Sequence, residues 1–176
     1  MDRQARAIMI SLEAINGMSA TEFVALFGAV FEHSPWVAER AAARRPFTSR
    51  EQMLHAMLAV VEAASLDEQM ALIRAHPHLG ARGRQNAGLS KASAREQKRA
   101  GLDACSDEEF AELLRLNAAY VRKFGFPFIL AVRGHDPRSI LANFKSRLHN
   151  DADLERRTAL TQIGIIAGHR LTELWA

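Results

Sequence analysis

Apolar residues recur along this chain at intervals of three and four, and the runs are separated by serine-led caps, glycines and prolines. Ser19-Ala20-Thr21-Glu22 has the spacing of a capping box, and Phe23, Leu26 and Phe27 behind it share one helical face. Ser49-Arg50-Glu51-Gln52 opens a longer run in which Met53, Leu54, Met57, Val60 and Val61 mark a helix to about Ala64, its methionines serving as core filler. Ser106-Asp107-Glu108-Glu109 opens the clearest of all, through Phe110, Leu113, Leu114, Leu116 and Tyr120 to about Lys123. Further helices are predicted from Ile8 to Ile15, stopped by Asn16-Gly17; from Pro35-Trp36 to about Arg44, ended by Arg45-Pro46-Phe47; from Leu66 to Ala75; after Leu89-Ser90; from Pro137 to Leu148; and from about Asp153 to Leu174. No useful stretch alternates with a period of two. The expectation is an all-α, single-domain bundle of about eight or nine helices spanning residues 1–176.

Four places depart from this regular pattern. Pro77 disfavours helical dihedrals at His76, so the helix from Leu66 ends there and leaves an imidazole at its exit, where the helix dipole favours the protonated ring. That suits a proton donor, and it equally suits a plain helix stop. In the next helix Ser93, Glu96 and Gln97 stand at i, i+3 and i+4 and so share one surface. Ser93 with Glu96 also fits a capping box, unless Ser90 is the cap and leaves both to face a cleft.

The third departure is Phe124-Gly125-Phe126-Pro127-Phe128-Ile129-Leu130-Ala131-Val132, which cannot simply continue the preceding helix, so its N–H groups need partners elsewhere. Either it is a buried connection, or the amides of Phe128, Ile129, Leu130, Ala131 and Val132 grip polar atoms of a flat ligand. The fourth is Arg170. At about 100° per residue, Leu160, Ile163, Ala167, Leu171 and Leu174 form an apolar stripe with Arg170 near its centre. An arginine there snorkels at a rim, pairs with a core glutamate, or binds a carboxylate or conjugated carbonyl of a ligand.

Composition narrows the classes. A chain of 176 residues that is 48% hydrophobic supports one proper core. No apolar run approaches the roughly 18–20 residues of a membrane span, and Met1-Asp2-Arg3-Gln4 lacks a signal-peptide layout. The C-terminal Leu174-Trp175-Ala176 is not a Ser-Lys-Leu address, so a cytoplasmic location is expected. The single cysteine, Cys105, has no disulfide partner within the chain and no cluster to bind metal with. The net charge of +3 arises from 23 basic and 20 acidic residues, with small basic groups at Arg40 to Arg45, Arg82 to Arg84 and Arg156-Arg157 and no aromatics interleaved, so a nucleic-acid partner is not expected. A helical module docking nucleic acid or an acidic protein through Arg82 to Arg84 is the non-enzymatic alternative. The stretch between Gly80 and Gly88 reads as an exposed loop, a possible lid.

His76-Pro77 with Leu79-Gly80, Leu89-Ser90 with Ser93, Glu96 and Gln97, Phe124-Gly125-Phe126-Pro127-Phe128, and Thr158-Ala159-Leu160 with Arg170-Leu171, in this order, resemble the 2-oxo-4-hydroxy-4-carboxy-5-ureidoimidazoline (OHCU) decarboxylases of urate breakdown. Ser34-Pro35-Trp36 and Arg45-Pro46-Phe47 extend the resemblance over nearly the whole chain. It implies an all-helical, cofactor-free and metal-free homodimer that converts a small ureide to (S)-allantoin. It also implies His76 and Glu96 as catalytic residues. Pro77, Ser93, Gln97, Arg170 and the backbone of Phe128, Ile129, Leu130, Ala131 and Val132 are implied as substrate contacts. His78 replaces the acidic residue often seen after the His-Pro pair. A hydrolase or lyase acting on another ureide is the second enzymatic alternative.

Overall fold

The computed structural model describes residues 10–80 and 89–175. Among them are nine helices and no strands: α1 (Leu12–Gly17), α2 (Ala20–Phe27), α3 (Trp36–Ala42), α4 (Arg50–Glu62), α5 (Leu66–Arg74), α6 (Lys91–Arg99), α7 (Asp107–Phe124), α8 (Pro137–Arg147) and α9 (Ala152–Leu174). The all-α expectation therefore holds. No helix among the described residues is long and apolar enough to cross a membrane. Residues 81–88, the stretch read from the sequence as an exposed loop and lid, and residues 8 and 9 of the first expected helix lie outside the described residues.

Most helix starts follow the caps legible in the sequence. Ser19 with Glu22 and Ser106 with Glu109 form complete capping boxes, and Ser49 accepts from the Gln52 N–H. Ser65 with Glu68 forms another at the head of α5. The first helix differs from expectation. Ser11 caps it by accepting from the Ala14 N–H, and Asn16 and Gly17 fall inside it rather than stopping it. The reason is that the Asn16 amide is engaged elsewhere: it donates to Phe47 O and accepts from Phe47 N–H, both at 2.8 Å. Asn16 thus ties α1 to the connection before α4 instead of terminating a helix.

The chain divides into two compact units, residues 1–64 with 166–176 and residues 65–165. In the first, α2 packs on α3 and α3 on α4. Its core holds Phe23, Phe27, Phe31, Met53 and Met57, all fully buried, with Trp175 set 6.4 Å from the Phe27 ring. In the second, α7 packs on α8, and Tyr120 is the hub of an aromatic cluster with Phe124, Phe126, Phe128 and Phe144.

The helix α9 contributes residues to both units, and its buried face is shifted from the predicted stripe. Ile163, Ala167, Arg170 and Leu171 are buried as expected, but Leu160 is only half-buried and Leu174 is 39% exposed. Glu155 and Ala159 extend the buried face instead, so the stripe runs at strict i+4 spacing through 155, 159, 163, 167 and 171.

Candidate active site

In the second unit, α5 ends at Arg74 with Ala75 as its C-cap, and the next residue is the buried His76, as the following proline requires. The His76 Nδ1 lies 3.0 Å from Leu72 O, one turn back. A carbonyl can only accept, so Nδ1 carries the hydrogen, and exchange of a proton with any ligand runs through Nε2. Pro77 is half-buried and His78 exposed.

The segment that follows is clamped from two helices. Gln97 of α6 accepts from the Gly80 N–H at 2.9 Å and donates to His78 O at 3.2 Å. Asn117 of α7 donates to Leu79 O and to Leu113 O, each at 3.0 Å. Gly80 has φ +75°, and a Cβ there would fall 2.0 Å from Leu113 Cδ2, so both backbone and space demand glycine. Gln97 thus fastens the His76–Gly80 segment to α6.

The competing roles for Ser93 resolve in favour of Ser90 as the cap. Ser90 accepts from the Ser93 N–H at 3.1 Å, which leaves the Ser93 side chain inside the first turn, buried, with Gln97 buried on the same face and Glu96 half-buried beside it. The α5 exit is also tied to the aromatic segment, because Arg74 Nε donates to Gly125 O at 3.2 Å.

Gly125, at φ +74°, ends α7 in the left-handed conformation, and residues 126–132 run without regular structure, all buried. Three of their main-chain groups are fixed internally: Ile129 O accepts from Arg147 Nη1 at 2.6 Å, the Ala131 N–H donates to Gln162 Oε1 at 2.9 Å, and Val132 O accepts from the His135 N–H at 3.0 Å. The amides of Ile129, Leu130 and Val132 have no acceptor among the described residues. Behind this segment lies a buried polar network that the sequence reading missed. Glu155, fully buried, accepts from Arg147 Nε at 2.8 Å, from Asn150 Nδ2 at 2.7 Å and from the Tyr120 hydroxyl. The Arg147 guanidinium lies 4.4 Å from the Phe128 ring centre, which in turn stacks on Phe144 at 3.7 Å. Burial, and then the bond to Glu155, push the Tyr120 hydroxyl well above its ordinary pKa, so it stays a neutral donor. A glutamate at i+4 spacing on the α9 stripe was the available signal for this network.

Arg170 belongs to the first unit. It is buried, its Nη1 sits 2.8 Å from Glu32 Oε2 and donates to Val30 O at 3.3 Å, and Glu32 is itself 1% exposed. The core-glutamate pairing considered from the sequence is therefore present, and it fixes the guanidinium by its Nη1 edge. Among the described residues no group of three or more His, Cys, Asp and Glu is placed to hold a metal ion.

The family model for OHCU decarboxylase matches residues 16–172. A uric acid degradation bifunctional protein of Bacillus sp. (strain TB-90) is 44% identical over 95% of this chain, which spans 32% of that longer protein. A 2-oxo-4-hydroxy-4-carboxy-5-ureidoimidazoline decarboxylase of Haloferax volcanii is 42% identical, covering 93% of this chain and 95% of the relative. The crystal structure of an (S)-allantoin synthase superposes with a TM-score of 0.77 at 28% identity, over 94% of this chain and 54% of that one. By the extent of the family match and by the full-length relative, the chain belongs to the OHCU decarboxylase family.

Proposed function

We propose that this protein decarboxylates 2-oxo-4-hydroxy-4-carboxy-5-ureidoimidazoline to (S)-allantoin in urate degradation, without a cofactor. The observation that carries the reading is His76: a buried imidazole whose Nδ1–H is committed to Leu72 O, on a segment that Gln97 fastens to the helix bearing Ser93 and Glu96. The substrate supplies its own electron sink. As the carboxylate leaves as carbon dioxide, the electron pair of the broken C–C bond forms a double bond to the ureido-bearing carbon and the imine pair passes to the ring nitrogen, which takes up a proton; the hydroxyl proton is then lost and its carbon becomes a carbonyl. A proton then adds at the ureido-bearing carbon.

The work left to the protein is orientation and proton transfer. In this reading His76 Nε2 and the Glu96 carboxyl handle the protons. Pro77, Ser93 and Gln97 line the same face, and the 128–132 backbone offers amide donors to the ring and ureido group; Arg170, paired with Glu32 in the first unit, keeps the substrate-contact role that the family resemblance implies. Delivery of the proton to one face of the planar intermediate gives the single enantiomer. We further propose a cytoplasmic homodimer; sedimentation at micromolar concentration tests the dimer.

The deciding experiment supplies freshly oxidised urate and follows the circular dichroism of allantoin. Rapid growth of the (S) signal is expected with the wild-type protein, against slow formation of racemate in buffer. His76→Asn and Glu96→Ala are each expected to lower turnover about a hundredfold or more, the usual range for loss of a general acid or base. Near wild-type rates in either variant would sink the assignment.

A further inference from the structure

In the second unit two polar side chains from different helices bind the backbone of Ile129 to Ala131, three residues with no reactive side chain. On one side Arg147 Nη1 holds Ile129 O at 2.6 Å, with Glu155 and Tyr120 behind it. On the other, Gln162 Oε1 from α9 holds the Ala131 N–H at 2.9 Å. These two bonds restrain two consecutive peptide planes.

Every peptide bond in this stretch is trans, and in a trans peptide the C=O and N–H point in opposite directions. The Ile129 carbonyl bound to Arg147 therefore turns the Leu130 N–H away from the guanidinium. By the same rule, the Ala131 N–H bound to Gln162 turns the Leu130 carbonyl away from Gln162. Leu130 is 6% exposed, and among the described residues neither its N–H nor its C=O enters a hydrogen bond. Main-chain groups buried this deeply are almost always matched. A matching group from a bound ligand removes the penalty.

We propose that Arg147 and Gln162 are positioning residues. They act through the backbone, aiming the Leu130 N–H and C=O as a donor–acceptor pair at an amide-type edge of the ureide, where an N–H stands beside a C=O. The inference rests on the functional reading above and extends it to residues remote from the reacting carbon. A buried Arg–Glu pair adds little stability over apolar residues of similar size. What the guanidinium does supply is direction, a fixed donor at one carbonyl.

The test uses the intact protein and (S)-allantoin, a neutral probe, with binding measured by calorimetry alongside turnover. Gln162 is half-exposed on a helix, so Gln162→Leu folds readily and removes only the acceptor. It is expected to raise both KM and the product Kd about tenfold, the worth of roughly one hydrogen bond, with kcat changed less than about threefold. Gln162→Glu keeps an oxygen at the same reach and is expected to bind the neutral product within about threefold of wild type, because one bond is conserved. Arg147→Lys, where it folds, is expected to raise KM and Kd as Gln162→Leu does, while the pH dependence of kcat/KM keeps its shape. Unchanged Kd in Gln162→Leu, or equal weakening in Gln162→Glu and Gln162→Leu, overturns the proposal even where the wild type is fully active. A wild-type protein that neither forms nor binds (S)-allantoin overturns the functional reading, and this inference with it.

Discussion

Residues 76–80 are held by two neutral amides, whereas residues 126–132 are held by a buried ion pair, a tyrosine hydroxyl and stacked rings. In the first segment Gln97 and Asn117 bond three successive residues, His78, Leu79 and Gly80. In the second, Arg147, Glu155 and Tyr120 converge behind Phe128 and Ile129. The difference follows what each segment presents. In the proposed site His76 offers a side chain, whose aim depends on its rotamer and on the bond to Leu72 O. Residues 128–132 offer main chain, and a peptide plane has no rotamer of its own, so its direction must be imposed from outside. Neutral clamps give graded losses on removal. A buried charge gives an abrupt one.

The sharpest way to break this comparison is Glu155→Ala. It leaves Arg147 buried without its carboxylate, and the expected loss is about 3–5 kcal/mol of unfolding free energy, read from urea denaturation. A midpoint equal to wild type would show that the network is not an anchor. Gly80→Ala follows. The new Cβ meets Leu113 Cδ2 and the backbone must keep φ +75°, so about 1–3 kcal/mol is expected, together with loss of turnover as the His76 segment shifts. Pairing it with Leu113→Ala separates the causes, because the double variant recovers the steric part and leaves the dihedral part.

On the other side of the comparison, Gln97→Met strands the Gly80 N–H and the His78 carbonyl and is expected to cost about 1–2 kcal/mol. Asn117→Ala is expected to cost less than Gln97→Met in the same denaturation. The reason is that it also removes Asn117 Oδ1, a buried oxygen with no hydrogen-bond partner among the described residues. The reverse order would mean that α7, not α6, is the principal clamp.

Much of this architecture was legible in the chain. Serine caps marked the starts of α2, α4 and α7, Pro77 fixed the exit of α5, and the Gly125–Pro127 pair marked the end of α7. Local rules suffice where the cause lies within one turn. They failed at Asn16, whose partner Phe47 is 31 residues away, and at α9, where an apolar count favoured Leu160 and Leu174 over Glu155. Of the candidate site, the shared face of Ser93 and Gln97 and the oddity of Arg170 could be read from spacing. The Arg147–Glu155–Tyr120 network left one signal, Glu155 at i+4 spacing on the α9 stripe, and polar residues on a buried face look like errors of register until their partners are in place.

The smallest effect is expected from Tyr120→Phe, and it tests whether the hydroxyl shares the anchoring. Glu155 Oε1 keeps its bonds to Arg147 when the hydroxyl is removed, so about 0.5–1.5 kcal/mol is expected at neutral pH. The pH dependence is more telling. Burial, reinforced by the bond to Glu155, raises the folded-state pKa above the ordinary value of 10.0. The folded state therefore holds a proton that the unfolded chain releases near pH 10, and the stability due to this group is full below that pH and falls as pH rises above it. Tyr120 is the only tyrosine in the chain, so subtracting Tyr120→Phe from wild type isolates it. The difference in unfolding free energy should stay constant from about pH 7 to 9 and shrink above about pH 10. A difference that is flat through pH 11 would mean that the hydroxyl ionises alike in both states and that the ion pair anchors the segment without it.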